Sequence, residues 1–364
     1  MLYFLFENYI DAFNFLNIFQ YITFRSLMGG LFSFIFVILI GEKFIKFLSK
    51  RNSVENINKY LDENHKRKQG TPNMGGVLIC SSVLLSIILF GNLQNEKLLI
   101  LIVSFIGFFL TGFIDDYIKI KSGKGLNIKK KLFIQIFVTG LTIFYIYKFS
   151  NSFLYLDNQY DLQHIVLPFT KEIFNMSILY SILMIMIVVG SSNAVNFTDG
   201  LDGLATGNII ISLTTLTILS YLAGNYLYSS YLYIPFIVQG GEIVVFSSCI
   251  IGALLGFLWF NSNPAQIFMG DSGSIPLGAT IGIIAILIKQ EFLLVIIGGV
   301  FVIEALSVIL QILSFKFFKK RIFSIAPIHH HFERMKIAES KIVIRFWIVG
   351  ILFSLIALAT IKIR

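Results

Sequence analysis

Long apolar runs alternate with short polar stretches along the whole chain. A helix that crosses the hydrocarbon core of a bilayer needs about 20 largely apolar residues. Ten runs approach that length, at about 24–42, 75–92, 98–114, 132–150, 174–191, 204–222, 243–260, 274–289, 292–315 and 343–361. The apolar run 5–22 is interrupted by Glu7, Asn8, Asp11, Asn14 and Asn17 and reads as an interfacial stretch. No repeat or low-complexity linker divides the chain. The pattern predicts an all-α polytopic integral membrane protein with ten transmembrane helices, folded as a single domain over residues 1–364.

The polar stretches set the orientation. Basic residues concentrate in three of them: Lys43, Lys46, Lys50, Arg51, Lys59, Lys66, Arg67 and Lys68; then Lys119, Lys121, Lys124, Lys129, Lys130 and Lys131; then Lys316, Lys319, Lys320, Arg321, Arg334, Lys336 and Lys341. With ten spans these loops share one side, which the positive-inside rule makes cytoplasmic. Both termini are then expected outside. The two other inside loops, 192–203 and 261–273, lack Lys and Arg but are dense in Asp, Asn, Gly and Ser. The outside loops look ordinary. A transporter places its key polar groups near mid-membrane, whereas an enzyme acting on a soluble substrate concentrates them on one rim, as here.

Composition agrees with the pattern. Hydrophobic residues make up 56% of the 364 and charged residues 13%, about half the share of a soluble domain. The net charge of +9 reflects membrane topology and calls for no nucleic acid. Cys80 and Cys249 lie in apolar runs and read as small buried hydrophobes. The N-terminus lacks the basic region and cleavage site of a secretory signal, so anchoring is expected from the body of the chain.

Five clusters carry candidate chemistry. Asp115 and Asp116 follow the third run, with Lys119 in helical reach of both. Adjacent carboxylates at a membrane helix end are costly unless paired or bound to a cation, and hard oxygens suit magnesium. A salt-bridged helix end is the plainer alternative. In Asn196-Phe-Thr-Asp-Gly-Leu-Asp-Gly203, Asp199 and Asp202 share a face if a helix starts here; otherwise they are cap residues. In the stretch 261–274, Asp271 lies between glycines at the start of a span, where free N–H groups can hold phosphate and Phe268 can stack on a base. A capped turn is the alternative. His329, His330 and His331 are consecutive, so their side chains diverge. That suits anion binding or substrate positioning better than zinc. Lys68 opens a Gly-Thr-Pro turn before the second span. A polar stripe of Glu304, Ser307 and Gln311 runs along one apolar span, most simply as a helix–helix hydrogen bond. Together the clusters suggest a Mg²⁺-dependent phosphoryl transfer, which rests on positioning and charge neutralisation.

The blocks KQGTPNMGG, DDYIK, NFTDGLDGLA, NPAQIFMGDSGS and RIFSIAPIHHHFE resemble those of the phospho-N-acetylmuramoyl-pentapeptide-transferase family. This family lies within the polyprenyl-phosphate N-acetylhexosamine-1-phosphate transferase superfamily. The likeness runs from Tyr21 to the last span, and the APIHHHFE block points to the muramoyl branch. The resemblance implies transfer of phospho-MurNAc-pentapeptide from UDP-MurNAc-pentapeptide to undecaprenyl phosphate in the bacterial inner membrane, giving lipid I and UMP. It also implies ten spans, a homodimer and the peptidoglycan pathway. By the match, Asp271 is a magnesium ligand. Asp115 and Asp116 are the catalytic acid pair, with Asp115 the base toward the lipid phosphate. Lys68, Asn196, Gly200, Leu201, Asp202, Asn261, Phe268 and Gln311 surround the nucleoside. Asp199, Lys119, Lys131, His329, His330 and His331 match further active-site positions. Asn73 stands where the family has Thr, and Phe197 where Leu is usual. A sister transferase using UDP-N-acetylglucosamine would keep the acidic motifs but not the His triplet. A secondary transporter would carry ionisable groups at mid-membrane and on both rims.

Overall fold

A computed structural model describes residues 14–50, 70–149, 162–166 and 173–363. A short 3-10 turn, Asn14–Gln20, leads into α1 (Ile22–Lys50), α2 (Gly75–Phe90), α3 (Glu96–Ser122) and α4 (Ile128–Lys148). After the paired strands β1 (His164–Val166) and β2 (Ile173–Asn175) come α5 (Leu179–Thr198), α6 (Leu204–Ala223), α7 (Tyr226–Leu232), α8 (Gly241–Asn261) and α9 (Asp271–Leu287). The chain ends with α10 (Leu293–Ile297), α11 (Gly299–Phe318), α12 (Ile328–Arg334), α13 (Glu339–Thr360) and a 3-10 turn at Ile361–Ile363.

Seven of the described helices, α3, α4, α5, α6, α8, α11 and α13, are long and apolar enough to cross a membrane. Helices α2 and α9 are equally apolar but shorter, at 16 and 17 residues, and α1 has 29 residues. Several outer faces are strongly apolar: Phe133, Phe137 and Phe144 on α4, Ile312, Phe315 and Phe317 on α11, Leu352 and Leu355 on α13. Water would not solvate such a belt without cost, and hydrocarbon does.

Helix α9 is buried along its whole length. It sits among α2, α3, α5 and α6, and small residues let it approach them. A Cβ on Gly76 of α2 would strike the backbone of Ser272 and Gly273, and one on Gly112 of α3 would strike the Asp271 carbonyl. These contacts lock the first turn of α9 against two neighbours.

The structure departs from the sequence expectations in four places. Helix α3 continues to Ser122, so Asp115, Asp116 and Lys119 lie on a helix that outruns its apolar stretch, not in a loop. The expected span 292–315 is broken at Gly298, which ends α10 and begins α11. The fold is not purely helical, because β1 and β2 pair antiparallel, His164 opposite Asn175. Strands of three residues are too short to show an alternation. Finally, the expected outside end is not ordinary. Arg25 pairs with Glu242 at 2.6 Å. Lys289 donates to the carbonyls of Leu162 at 2.5 Å and His164 at 3.1 Å and to the Tyr180 hydroxyl at 3.0 Å. Arg25 and Glu242 each stand alone beside an apolar run, so their pairing is invisible in the chain order, whereas Lys289 also has Glu291 two residues on, at 4.0 Å.

Candidate active site

Two polar stretches far apart in the chain, 115–131 and 261–274, meet at one end of the bundle. The carboxyl end of α3 brings Asp115, Asp116 and Lys119, the first turn of α4 brings Lys131, and the first residue of α9 is Asp271. Lys119 Nζ lies 3.0 Å from Asp115 Oδ2, 2.9 Å from Asp271 Oδ2 and 3.9 Å from Asp116 Oδ1. Lys131 Nζ reaches the same two oxygens, at 3.4 Å from Asp115 Oδ2 and in close contact with Asp271 Oδ2. Asp115 and Asp271 therefore point at one spot from separate helices, with both ammonium groups on it.

The two neighbouring acids of α3 do different work. Asp116 accepts the backbone N–H of Asp271 at 3.2 Å and of Ser272 at 2.8 Å. It fills the start of α9, where the sequence suggested free N–H groups for phosphate. That expectation is corrected: the remaining early N–H groups, of Gly273 and Ser274, turn back to the Gly270 carbonyl. A carboxylate at the positive end of a helix is favourable, and Asp116 is only 1% exposed. Asp115 instead has one oxygen on the Leu126 N–H, at 2.5 Å, and leaves the other on the lysines.

Gly270 makes the approach of α9 possible. Its φ is +72°, and a Cβ there would stand 2.6 Å from Asp116 Oδ2 and against Asn73 Oδ1. Asn73 is buried and accepts the Met74 N–H at 2.8 Å. Its backbone neighbours dock on the stretch before α9: Phe268 N–H donates to Pro72 at 2.9 Å, Gly75 N–H to Phe268 at 2.8 Å, and Gly76 N–H to Met269 at 2.9 Å. An amide serves at position 73 because the bond that holds this turn needs only an acceptor. Phe268 remains half-buried. Lys68 lies outside the described residues.

The second acidic stretch is a turn, not a helix start. Helix α5 ends at Thr198, Asp199 follows it, and α6 begins only at Leu204 after Gly203 with φ +77°. Asp199 and Asp202 thus share no helix face. Asp202 Oδ2 accepts Asn263 Nδ2 at 2.9 Å and the Ala265 N–H at 3.1 Å, while the Asp202 N–H donates to Glu339 at 2.8 Å. It ties the loop before α9 to the start of α13. Asn261 holds the same loop from inside, accepting Thr206 Oγ1 at 2.7 Å and donating to the Ile267 carbonyl at 2.9 Å. Leu201 packs with Leu204, Ile342 and Val343. Asn196 and Gly200 are half-buried.

The three histidines diverge, as their spacing requires. His329 is fully buried, with Nδ1 3.1 Å from Glu304 Oε2, and a Cβ on Gly200 would strike its ring. His330 Nδ1 lies 2.6 Å from Glu333 Oε2. His331 Nδ1 accepts the Ser324 N–H at 3.3 Å. The polar stripe of α11 is a helix–helix contact at Glu304, which meets His329 of α12, but not at Ser307 or Gln311. Glu304 faces His329, Ser307 bonds the Glu304 carbonyl, and Gln311 binds both the N–H and the carbonyl of Phe323 at 3.0 and 3.1 Å. Glu304 escaped the sequence-based site list because its partner is on α12. Its signal was a carboxylate inside an apolar run, which needs a partner.

The donor set suits a hard cation. Among the described residues no group of three or more His, Cys, Asp or Glu side chains forms an all-protein cage. Magnesium does not require one, since it takes one or two carboxylates together with phosphate oxygens and water. Asp271 Oδ2 and Asp115 Oδ2 already converge on cations. Three carboxylates against two ammonium groups leave one excess negative charge. At 3–4 Å and an effective dielectric of about 20, each close charge pair is worth roughly 4–5 kcal/mol before desolvation. A diphosphate entering this end therefore needs more positive charge than the two lysines supply.

Comparison with known proteins agrees with the motifs. Residues 98–289 match the family described as glycosyl transferase family 4. The chain is 46% identical over 368 residues to the phospho-N-acetylmuramoyl-pentapeptide-transferase of Pelagibacter ubique, covering all of both chains. It is 45% identical over 383 residues to that of Brachyspira hyodysenteriae and 43% identical over 369 residues to that of Thermodesulfovibrio yellowstonii, again over the full length of both. With three acids and two lysines gathered at one end of a membrane-embedded bundle, and likeness running from end to end, the chain belongs to the phospho-N-acetylmuramoyl-pentapeptide-transferase family.

Proposed function

We propose that the chain transfers phospho-MurNAc-pentapeptide from UDP-MurNAc-pentapeptide to undecaprenyl phosphate at the cytoplasmic face of a bacterial inner membrane. The observation that carries this reading is the convergence of Asp115 and Asp271 on Lys119 and Lys131. An oxygen of the lipid phosphate attacks the phosphorus that bears the sugar. The bond from that phosphorus to the bridging oxygen breaks, and UMP leaves with the electron pair. Asp115 takes the proton of the lipid phosphate if it arrives protonated. Lys119 and Lys131 offset charge on the incoming and departing phosphates. Asp271 and Asp115 would hold a Mg²⁺ ion, which when bound would neutralise phosphate oxygens. The turn 199–203, Phe268, Gln311 and the histidines of α12 line the approach for the nucleotide and sugar, Gly200 lying against His329. Ten spans, a homodimer and both termini outside belong to the same proposal. It is supported by the gathering of Lys119 and Lys131 with the acidic residues at one end and by the full-length likeness.

Purified protein should release UMP when given undecaprenyl phosphate and UDP-MurNAc-pentapeptide, and not with UDP-N-acetylglucosamine. EDTA should stop release and Mg²⁺ restore it. UMP from UDP-N-acetylglucosamine alone would move the chain to the sister branch, and chelator-resistant turnover would remove the metal.

A further inference from the structure

A cavity lies beside the histidine helix and takes no part in the chemistry above. It has a volume of about 260 Å³ and is lined by Val300 and Ile303 of α11, Ile328 and Phe332 of α12, and α13 residues including Ile342, Arg345 and Val349. Both α11 and α13 are long and apolar enough to cross a membrane. Ile303 and Val349 are exposed, so the cavity opens on the outer surface of the bundle, where hydrocarbon would lie.

Arg345 is the one charged residue beside this lining: its aliphatic stem borders the apolar cavity, and its guanidinium lies outside it on the exposed surface. It is exposed, and among the described residues it has no hydrogen bond or ion pair. An unneutralised guanidinium on a membrane helix is costly unless it reaches the headgroup layer or meets an anion. Arg345 sits about 9 Å along α13 from Glu339, at 1.5 Å per residue. Glu339 accepts the Asp202 N–H and so marks the level of the acidic turn. A long side chain at this depth reaches the interface, where its planar fork suits a phosphate.

Helix α12 lies between this cavity and the turn at Gly200. Ile328 and Phe332, four apart, face the cavity, while His329 between them faces Glu304 and Gly200. A lipid seated here places its phosphate on Arg345 and not on Lys119 or Lys131, so it is not consumed. We propose that this cavity is a binding site for an anionic diacyl phospholipid, with an acyl chain between α11 and α13 and the phosphate on Arg345.

The test is lipid retention by the full-length protein in detergent, read by native mass spectrometry, with no sugar nucleotide present. The probes are phosphatidylglycerol and phosphatidylcholine of matched chains, with undecaprenyl phosphate as competitor. Wild type should retain phosphatidylglycerol at least tenfold more tightly than phosphatidylcholine. Arg345→Gln should reduce that preference to less than threefold, and Ile303→Trp, which fills the cavity, should weaken both lipids. Equal retention by wild type, or an unchanged preference in Arg345→Gln with Ile303→Trp also unaffected, overturns the proposal. Stoichiometric displacement of phosphatidylglycerol by undecaprenyl phosphate would overturn it too, by assigning the cavity to the lipid substrate. None of these outcomes depends on turnover.

Discussion

Adjacent residues in one motif can have unrelated tasks, and Asp115 and Asp116 are a clear case. Asp116 is spent on the first turn of α9, and Asp115 faces the lysines. Asp116→Asn keeps one acceptor but loses the charge-assisted pair of bonds, a loss of about 1.5–3 kcal/mol. It should lower the thermal midpoint clearly and reduce transfer through the displaced Asp271. Asp115→Asn should lower the midpoint less and abolish UMP release. Thermal unfolding and turnover, measured on both variants, separate the two roles; equal midpoints would refute the division. The motif marked both residues as acids worth notice. It could not mark one as a cap, because the N–H groups it serves lie 155 and 156 residues away.

At the scale of elements, the segment around α12 is set by contacts from α11 and from the turn at Gly200. Gln311 of α11 binds the backbone at Phe323 ahead of α12, and Gly200 leaves room for His329 of α12. Adding a methyl at Gly200 must push the histidine ring, an overpacking that costs roughly 1–3 kcal/mol. Gly200→Ala should therefore lower kcat/KM for the sugar nucleotide by about ten- to a hundredfold while leaving the helical content intact by circular dichroism. An unchanged kcat/KM would mean α12 does not set the site. The triplet HHH and the stripe on α11 were both legible in the chain. Their joining was not, since it depends on how α12 turns back into the bundle. The break at Gly298 and the β1–β2 pair were similarly hidden, being too short to impose a period.

Across the whole molecule, the bundle has two different ends. One gathers the acids, lysines and histidines of six segments. The other buries Arg25 with Glu242 and holds Lys289 beside Tyr180. Hydropathy displayed the seven helices long and apolar enough to cross a membrane because an apolar run of that length is a strong signal, and the acid-rich loops displayed the active end because polar residues cluster there in sequence. At the opposite end Arg25 and Glu242 come from distant helices, and Lys289 reaches carbonyls more than a hundred residues away, so only packing reveals these contacts. Its role is to close the bundle: Glu242 also accepts the Asn92 N–H at 3.0 Å, holding the turn between α2 and α3.

The account depends most on Asp271 as the meeting point of α9 with the lysines of α3 and α4. UMP release by wild type and by Asp271→Asn, measured from zero to saturating Mg²⁺ on protein shown folded by its thermal midpoint, addresses this directly. Wild type should rise from no turnover to a plateau, and the folded variant should stay at least a thousandfold below it at every concentration. A folded variant that matched the wild-type plateau would contradict the account.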